Sequence, residues 1–297
     1  MSGERQPAAA GRFYEGTEKA LLASLEECFL HALGPGALPQ PASDGPGLIT
    51  ALVSPHAGYM FSGPAAAHGF AALAADGLPD TAIILGPSHY VAARRGAVSL
   101  VDAWRTPLGA VPVDVDLGRR LLEATPLLEA DENAHRLEHS LEVQIPFLQF
   151  LSPDPPPRIC PICIRSHPMG GIEEVVADAE ALGQAIAQAV GSRRVAIIAS
   201  TDFSHQVPHE VAERQDRLAL DAILALEPER LLHTVAENNI TMCGPVPVAV
   251  ALSFCLARGA HEAELLRYYT SGDVIGDRMG VVGYASVLLK RSRGERT

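Results

Sequence analysis

The chain has little of several things that would announce a class. Five cysteines among 297 residues (Cys28, Cys160, Cys163, Cys243 and Cys255) make an odd, unpatterned set, which excludes a dense disulfide framework and fits a reduced, cytoplasmic protein. Long apolar runs are missing. The longest, VPVAVALSFCLA at 246–257, is far short of the roughly 20 residues that cross a bilayer. The opening MSGERQPAAAGRFYEG lacks an apolar h-region, so no secretory signal is expected. Positive charge is in deficit, with 23 Lys and Arg against 35 Asp and Glu for a net −12. That balance argues against nucleic acid or an anionic membrane surface as partner. Neither a Walker-type loop nor a G-x-G-x-x-G turn occurs at a strand–helix junction, so no nucleotide cofactor is expected.

What is abundant is apolar sequence, 47% of the chain, enough for a sizeable core. Helical spacing of Leu21, Leu22, Leu25, Phe29 and Leu33 predicts a helix over 17–32. Further helices are expected at 64–75, opening with Pro64 in its first turn, and at 114–124, 134–150, 172–190, 211–226 and 246–258. Strands are expected at 48–53, 81–85, 97–101, 158–164, 194–199, 264–270 and 281–289, with DAWRTPLG at 102–109 as a loop. Strands alternating with helices predict βαβ units and a mainly parallel or mixed central sheet covered on both faces, an α/β/α architecture. The DPPP segment at 154–157 reads as a surface loop, and the whole of 1–297 as one domain.

Three of the apolar runs stop at a small turn carrying a histidine: GLITALVSPHAGY, DTAIILGPSHY and RRVAIIASTDFSH, ending on His56, His89 and His205. Ligands of open α/β sheets sit beyond the carboxyl ends of parallel strands, where the loops diverge. His56 and His89 are 33 residues apart, one strand–helix–strand unit, so both can face one crevice. Imidazole is the commonest metal ligand and the usual general base near neutral pH. Asp202 stands just before His205, where a carboxylate can fix an imidazole's tautomer or N-cap a following helix. Cys243 precedes a Pro-initiated apolar helix and reads as a soft metal ligand, a reactive thiol or an inert core residue. In HRLEHSLE (135–142) helical spacing would put His135, Glu138, His139 and Glu142 on one face, with Leu137, Leu141, Ile145 and Leu148 toward the core. His135 to His139 also spells H-x-x-E-H, an inverted zinc-protease signature. The CPIC run (160–163) lies within a strand-like stretch and reads as core.

With PHAGY, ILGPSHY, RTPLG, EHSLEVQIPF, STDFSH and MCG in that order, the chain resembles the Memo family (the AmmeMemoRadiSam system protein B type). The resemblance runs from GRFYEG at 11–16 to VVGYASV near the C-terminus. It implies a fold like that of the class III extradiol dioxygenases and a mononuclear redox-metal site holding iron or copper. His56, His89 and Cys243 would be the ligands, and His205 the acid–base group with Asp202 beside it. Glu138 and His139 would lie near the pocket. Those dioxygenases use a glutamate as third ligand, whereas this chain offers a thiol, so catechol cleavage does not carry over. The resemblance further implies a small-molecule or peptide ligand, with radical-SAM and AMMECR-type proteins as functional partners. Three readings follow: a metal-dependent oxidoreductase, a non-catalytic metal- or peptide-binding scaffold, and a zinc hydrolase using His135, Glu138 and His139.

Overall fold

A computed structural model describes residues 3–91, 94–152, 155–165 and 170–292; Asp154 of the DPPP segment lies outside them. The first third of the chain contains β1 (Glu4–Arg5), α1 (Glu18–Leu30), β2 (Ile49–Ser54), α2 (Tyr59–Asp76), β3 (Thr81–Ser88) and β4 (Gly96–Val98). Next come β5 (Ala103–Thr106), β6 (Gly109–Pro112), α3 (Val115–Ala124), β7 (Leu128–Ala130), α4 (Glu132–Arg136), α5 (Ile145–Leu151) and β8 (Arg158–Arg165). The remainder holds α6 (Ile172–Val190), β9 (Val195–Ser200), β10 (His205–Val207), α7 (His209–Leu224) and α8 (Pro228–Glu237). It closes with α9 (Pro245–Ala257), β11 (Ala260–Thr270), α10 (Ser271–Ile275) and β12 (Val281–Arg291).

The main sheet runs β10-β12-β2-β9-β3-β8-β4-β7, with β11 also on β12. At its centre β2, β9, β3 and β8 are mutually parallel, while β12 and β4 join antiparallel to them. Alternate residues of the central strands feed opposite cores. Ala51, Val53, Ile83, Leu85, Ile197 and Ala199 face one layer, packed on α6, α7, α8 and α9. Leu52, Ala82, Ile84, Ala196 and Ile198 face the other, packed on α1, α2 and α5. A strand buried on both faces has no polar side to alternate with, which is why these strands read as continuous apolar runs. Cys160 and Cys163 fall on opposite faces of β8, in different cores, so the CPIC pair is structural.

Four expectations need correction. The helix over 134–150 is broken: α4 ends at Arg136, and a 3-10 turn at Glu142–Gln144 leads into α5. Between them Glu138 Oε1 accepts the backbone N–H groups of His139 and Ser140, replacing helical bonds with side-chain ones. His135, Glu138, His139 and Glu142 therefore share no helical face, and Leu137 is exposed rather than packed. The DAWRTPLG segment is not a loop but the hairpin of β5 and β6, which joins β1 in a small three-stranded sheet around the buried Trp104. Pro64 lies inside α2 because that helix already begins at Tyr59. Asp202 does not cap a helix, since α7 begins only at His209.

Candidate metal centre

The parallel strands β2, β9 and β3 end side by side at Ser54, Ser200 and Ser88, and the site is built on their carboxyl rim. His56 follows β2 by two residues and His89 follows β3 by one. The third wall is the turn 137–141. It approaches β3 at Gly86, where a Cβ would stand 2.6 Å from Ser140 Oγ, and Ser140 Oγ donates to the Pro87 carbonyl at 2.9 Å. That close approach brings His139 to the rim. Among the described residues, His56, His89 and His139 form a group whose donor atoms all lie within 4.8 Å of one another. Two donors each about 2.1 Å from one ion are at most about 4.2 Å apart, so small side-chain adjustments close the set.

Hydrogen bonds settle which nitrogens face inward. Ser200 Oγ donates to the Ser140 carbonyl at 2.6 Å and accepts Gln144 Nε2 at 2.9 Å. The Gln144 amide is itself oriented by its donation to the Pro55 carbonyl. With its proton committed, Ser200 can only accept from His56 Nδ1, 2.9 Å away. His56 is thus the Nδ1–H tautomer and keeps an Nε2 lone pair. The carboxylate of Glu138 likewise accepts from His89 Nδ1 at 2.9 Å and from the His89 backbone N–H at 2.6 Å, freeing Nε2 of His89. His139 Nδ1 is buried without a hydrogen-bond partner, 3.3 Å from Glu138 Oε1.

The electrostatics suit a cation. Burial, reinforced by the charge of His89, holds His56 well below the ordinary imidazole pKa. Burial and then His56 push His139 down to about 3, so both rings are neutral ligands at pH 7. Burial alone would raise Glu138, but its bonds to His89 and the backbone outweigh this and hold it at about 2. A buried negative charge therefore sits directly behind the imidazoles.

Cys243 is half-buried and pinned to the turn after β9. Its Sγ accepts the Asp202 N–H at 3.2 Å, and its own N–H donates to the Asp202 carbonyl at 3.3 Å. Gly244 makes this possible, since a Cβ there would stand 2.8 Å from the Ser200 carbonyl oxygen. The thiol lies 3.2 Å from His56 Nε2, yet outside the group of three imidazoles. Burial, then the Asp202 charge, pushes its pKa up, so it is a thiol until a cation lowers that value. Asp202 accepts the His56 N–H at 2.8 Å and is pushed up by burial. His205 is half-buried and set apart from the trio, its Nδ1 donating to the Thr241 carbonyl at 2.9 Å. His135 is fully buried against Trp104, with Nε2 bonded to the Ala97 carbonyl. It is absent from the ligand group, so the H-x-x-E-H reading fails geometrically.

Sequence reasoning missed the residues that hold this arrangement. Ser200 ends β9, and the strand-end rule that singled out the histidines covers it too. The strap formed by residues 3–16 left no such signal. Arg5 donates to the carbonyls of His135 and Glu138, both at 2.8 Å, and to Glu142 at 2.5 Å. Glu142 also accepts Ala8 N–H, Ala9 N–H and the Tyr14 hydroxyl. Phe13, on the same strap, stacks on His139 with ring centroids 4.1 Å apart.

Three clustered imidazoles, one of them with a buried unpartnered nitrogen, fit a metal ion. Imidazole suits zinc, copper, iron and nickel. A sheet that gathers such donors on its carboxyl rim, backed by a buried carboxylate, defines a candidate metalloprotein. Residues 5–288 match the family described as Memo-like protein, and the chain belongs to the Memo family. A "MEMO1 family protein" of Methanopyrus kandleri is 42% identical, covering 97% of this chain and 99% of its own. Another, from Methanothermobacter thermautotrophicus, is 44% identical over 95% and 98%. Among solved structures, an uncharacterized protein from Escherichia coli K12 shares the fold at 16% identity. Its TM-score is 0.50, and the match covers 71% of this chain and 86% of that one.

Proposed function

We propose that this Memo-family protein is a mononuclear metal-dependent oxidoreductase whose rim site holds iron or copper. The observation that carries the reading is the convergence of His56, His89 and His139 with the Nδ1 atoms of His56 and His89 already committed. Cys243 is proposed as a further donor. Its 3.2 Å separation from His56 Nε2 suits two ligands of one ion, and a thiolate would favour copper(I) or alter the iron potential. When bound, the ion supplies a change of oxidation state and a place to hold a small molecule or peptide group.

The remaining work belongs to the chain's own residues. Glu138 orients His89 and, through backbone bonds, the His139 turn. Asp202 fixes the backbone of His56. His205, tethered through Nδ1, keeps Nε2 to carry a proton at the edge of the site. The side chain of His89 is 29% exposed, which makes its side of the trio the approach for a ligand.

Elemental analysis of protein purified without an affinity tag tests this directly. Stoichiometric iron or copper, lost in His56→Ala and His89→Ala, is the expected result. Zinc alone, or no transition metal, overturns the redox reading and favours a scaffold. Cys243→Ser decides the thiol's part: unchanged affinity would remove it from the ligand set.

A further inference from the structure

Next to β3 in the sheet, the last residues of β8, Ile164 and Arg165, stand in register with Pro87 and Ser88, immediately before His89. They help to line a cavity of about 270 Å³, the volume of about nine liquid waters and just below the usual small-ligand range. Its floor is apolar, with Val175 and Leu182 of α6 and Val250 of α9 among the residues that form it. Its polar lining is charged: Arg94, Arg95 and Arg165 against Glu174 and Asp178. One positive charge is left over.

Of these three guanidinium groups, Arg94 stands apart by its lack of a partner among the described residues. Arg95 is neutralised by Glu174 at 2.7 Å and Asp178 at 2.6 Å. Arg94 is fixed through its backbone, its N–H on Glu129 at 2.9 Å and its carbonyl accepting from Arg165 at 3.3 Å. Among the described residues its guanidinium has no hydrogen-bond or ion-pair partner. A preorganised backbone carrying an unpaired guanidinium over an apolar floor matches an anion with a hydrophobic body.

We propose that this cavity binds a small organic monocarboxylate, its apolar body on the floor and its carboxylate on Arg94. One unpartnered guanidinium matches one carboxylate group, and the floor disfavours a fully hydrated inorganic ion. The proposal goes beyond the metal reading and does not depend on it.

Calorimetric titration of metal-stripped protein with 3-phenylpropionate and 3-methylbutanoate tests it, with 3-phenylpropanol and inorganic phosphate as controls. Saturable binding of at least one carboxylate and neither control is expected. Arg94→Gln, a change at an exposed side chain, should weaken binding by about tenfold or more, as expected for loss of a charge-assisted bond. Arg94→Lys should retain part of it. Absence of saturation with both carboxylates overturns the proposal, as does equal binding by Arg94→Gln. Equal binding of the alcohol would reduce the site to an apolar slot, and binding of phosphate to a general anion site. Because the protein is metal-free, failure here leaves the metal analysis untouched.

Discussion

Glu138 and Glu142 lie four residues apart, both with side chains wholly buried, yet they hold different parts of the molecule. Glu142 meets a cation, Arg5, together with two backbone amides and the Tyr14 hydroxyl. Among the described residues the Glu138 carboxylate meets no arginine or lysine side chain; it accepts from the His89 imidazole and three backbone amides. The first arrangement is a closed ion pair that fastens the strap. The second leaves its negative charge directed at a cluster of imidazoles, where an added cation would be stabilised. Residue type and burial are the same, and the partner set decides whether a carboxylate serves the scaffold or the site.

The largest expected effect comes from breaking the scaffold half. Glu142→Ala leaves the Arg5 guanidinium buried without its counter-charge, which costs about 3–5 kcal/mol, read from the denaturant midpoint. On the site half, Glu138→Gln should weaken metal binding by about 10–100-fold, the usual effect of losing an orienting partner behind a ligand, measured by competition with a chelator. If Glu142→Ala proves the weaker destabiliser, or Glu138→Gln binds metal like the parent, the division of labour drawn here is wrong. Phe13→Ala, which uncovers His139, should cost about 0.5–1.5 kcal/mol beyond the lost apolar area. A cost no larger than the area alone would mean the stacking contributes nothing.

A carboxylate outside this turn sharpens the comparison with the smallest effect. Asp114 caps α3 and pairs with the half-buried Arg193 at 3.0 Å. Burial alone would raise its pKa, but the Leu117 amide, Thr81 hydroxyl and Arg193 outweigh it, and the net shift is downward. A depressed folded-state pKa stabilises above the unfolded value, about 3.9, and that stabilisation is lost as pH falls through the folded one. The stability gap between the parent and Asp114→Asn should therefore be flat from pH 7 to 5 and shrink below pH 4. A gap that widens with acid would reverse the sign.

Much of the frame was legible in the residues. The central strands announced themselves because burial on both faces leaves only apolar side chains, and α6 lies where Ile172–Val190 predicts it. The common rim of His56 and His89 was legible too, since each stands within two residues of the end of an apolar strand, although Pro87 proved to belong to β3 itself. The break at 137–141 was not. Local spacing favours a helix there, and the competing bonds come from His89, 49 residues away, and Arg5, at least 130 away. The β5–β6 hairpin was hidden by Pro107 and Gly109, which read as loop although the buried Trp104 and Val111 make the segment a sheet. Whether His139 or Cys243 stands nearest the other rings depends on how two separate turns pack, which spacing along the chain does not encode.

The strap has a consequence in time. Its bonds to Glu142 join residues 128 to 137 positions apart, so ring closure of that size must precede them. During synthesis at roughly 5–20 residues per second, Arg5 emerges on the order of ten seconds before its partner. Until the turn at 137–141 is drawn against β3 and clamped by Arg5, His139 has no fixed place beside His56 and His89. The capacity to take up an ion therefore follows closure of this long loop, and is a product of folding rather than a seed from which it starts.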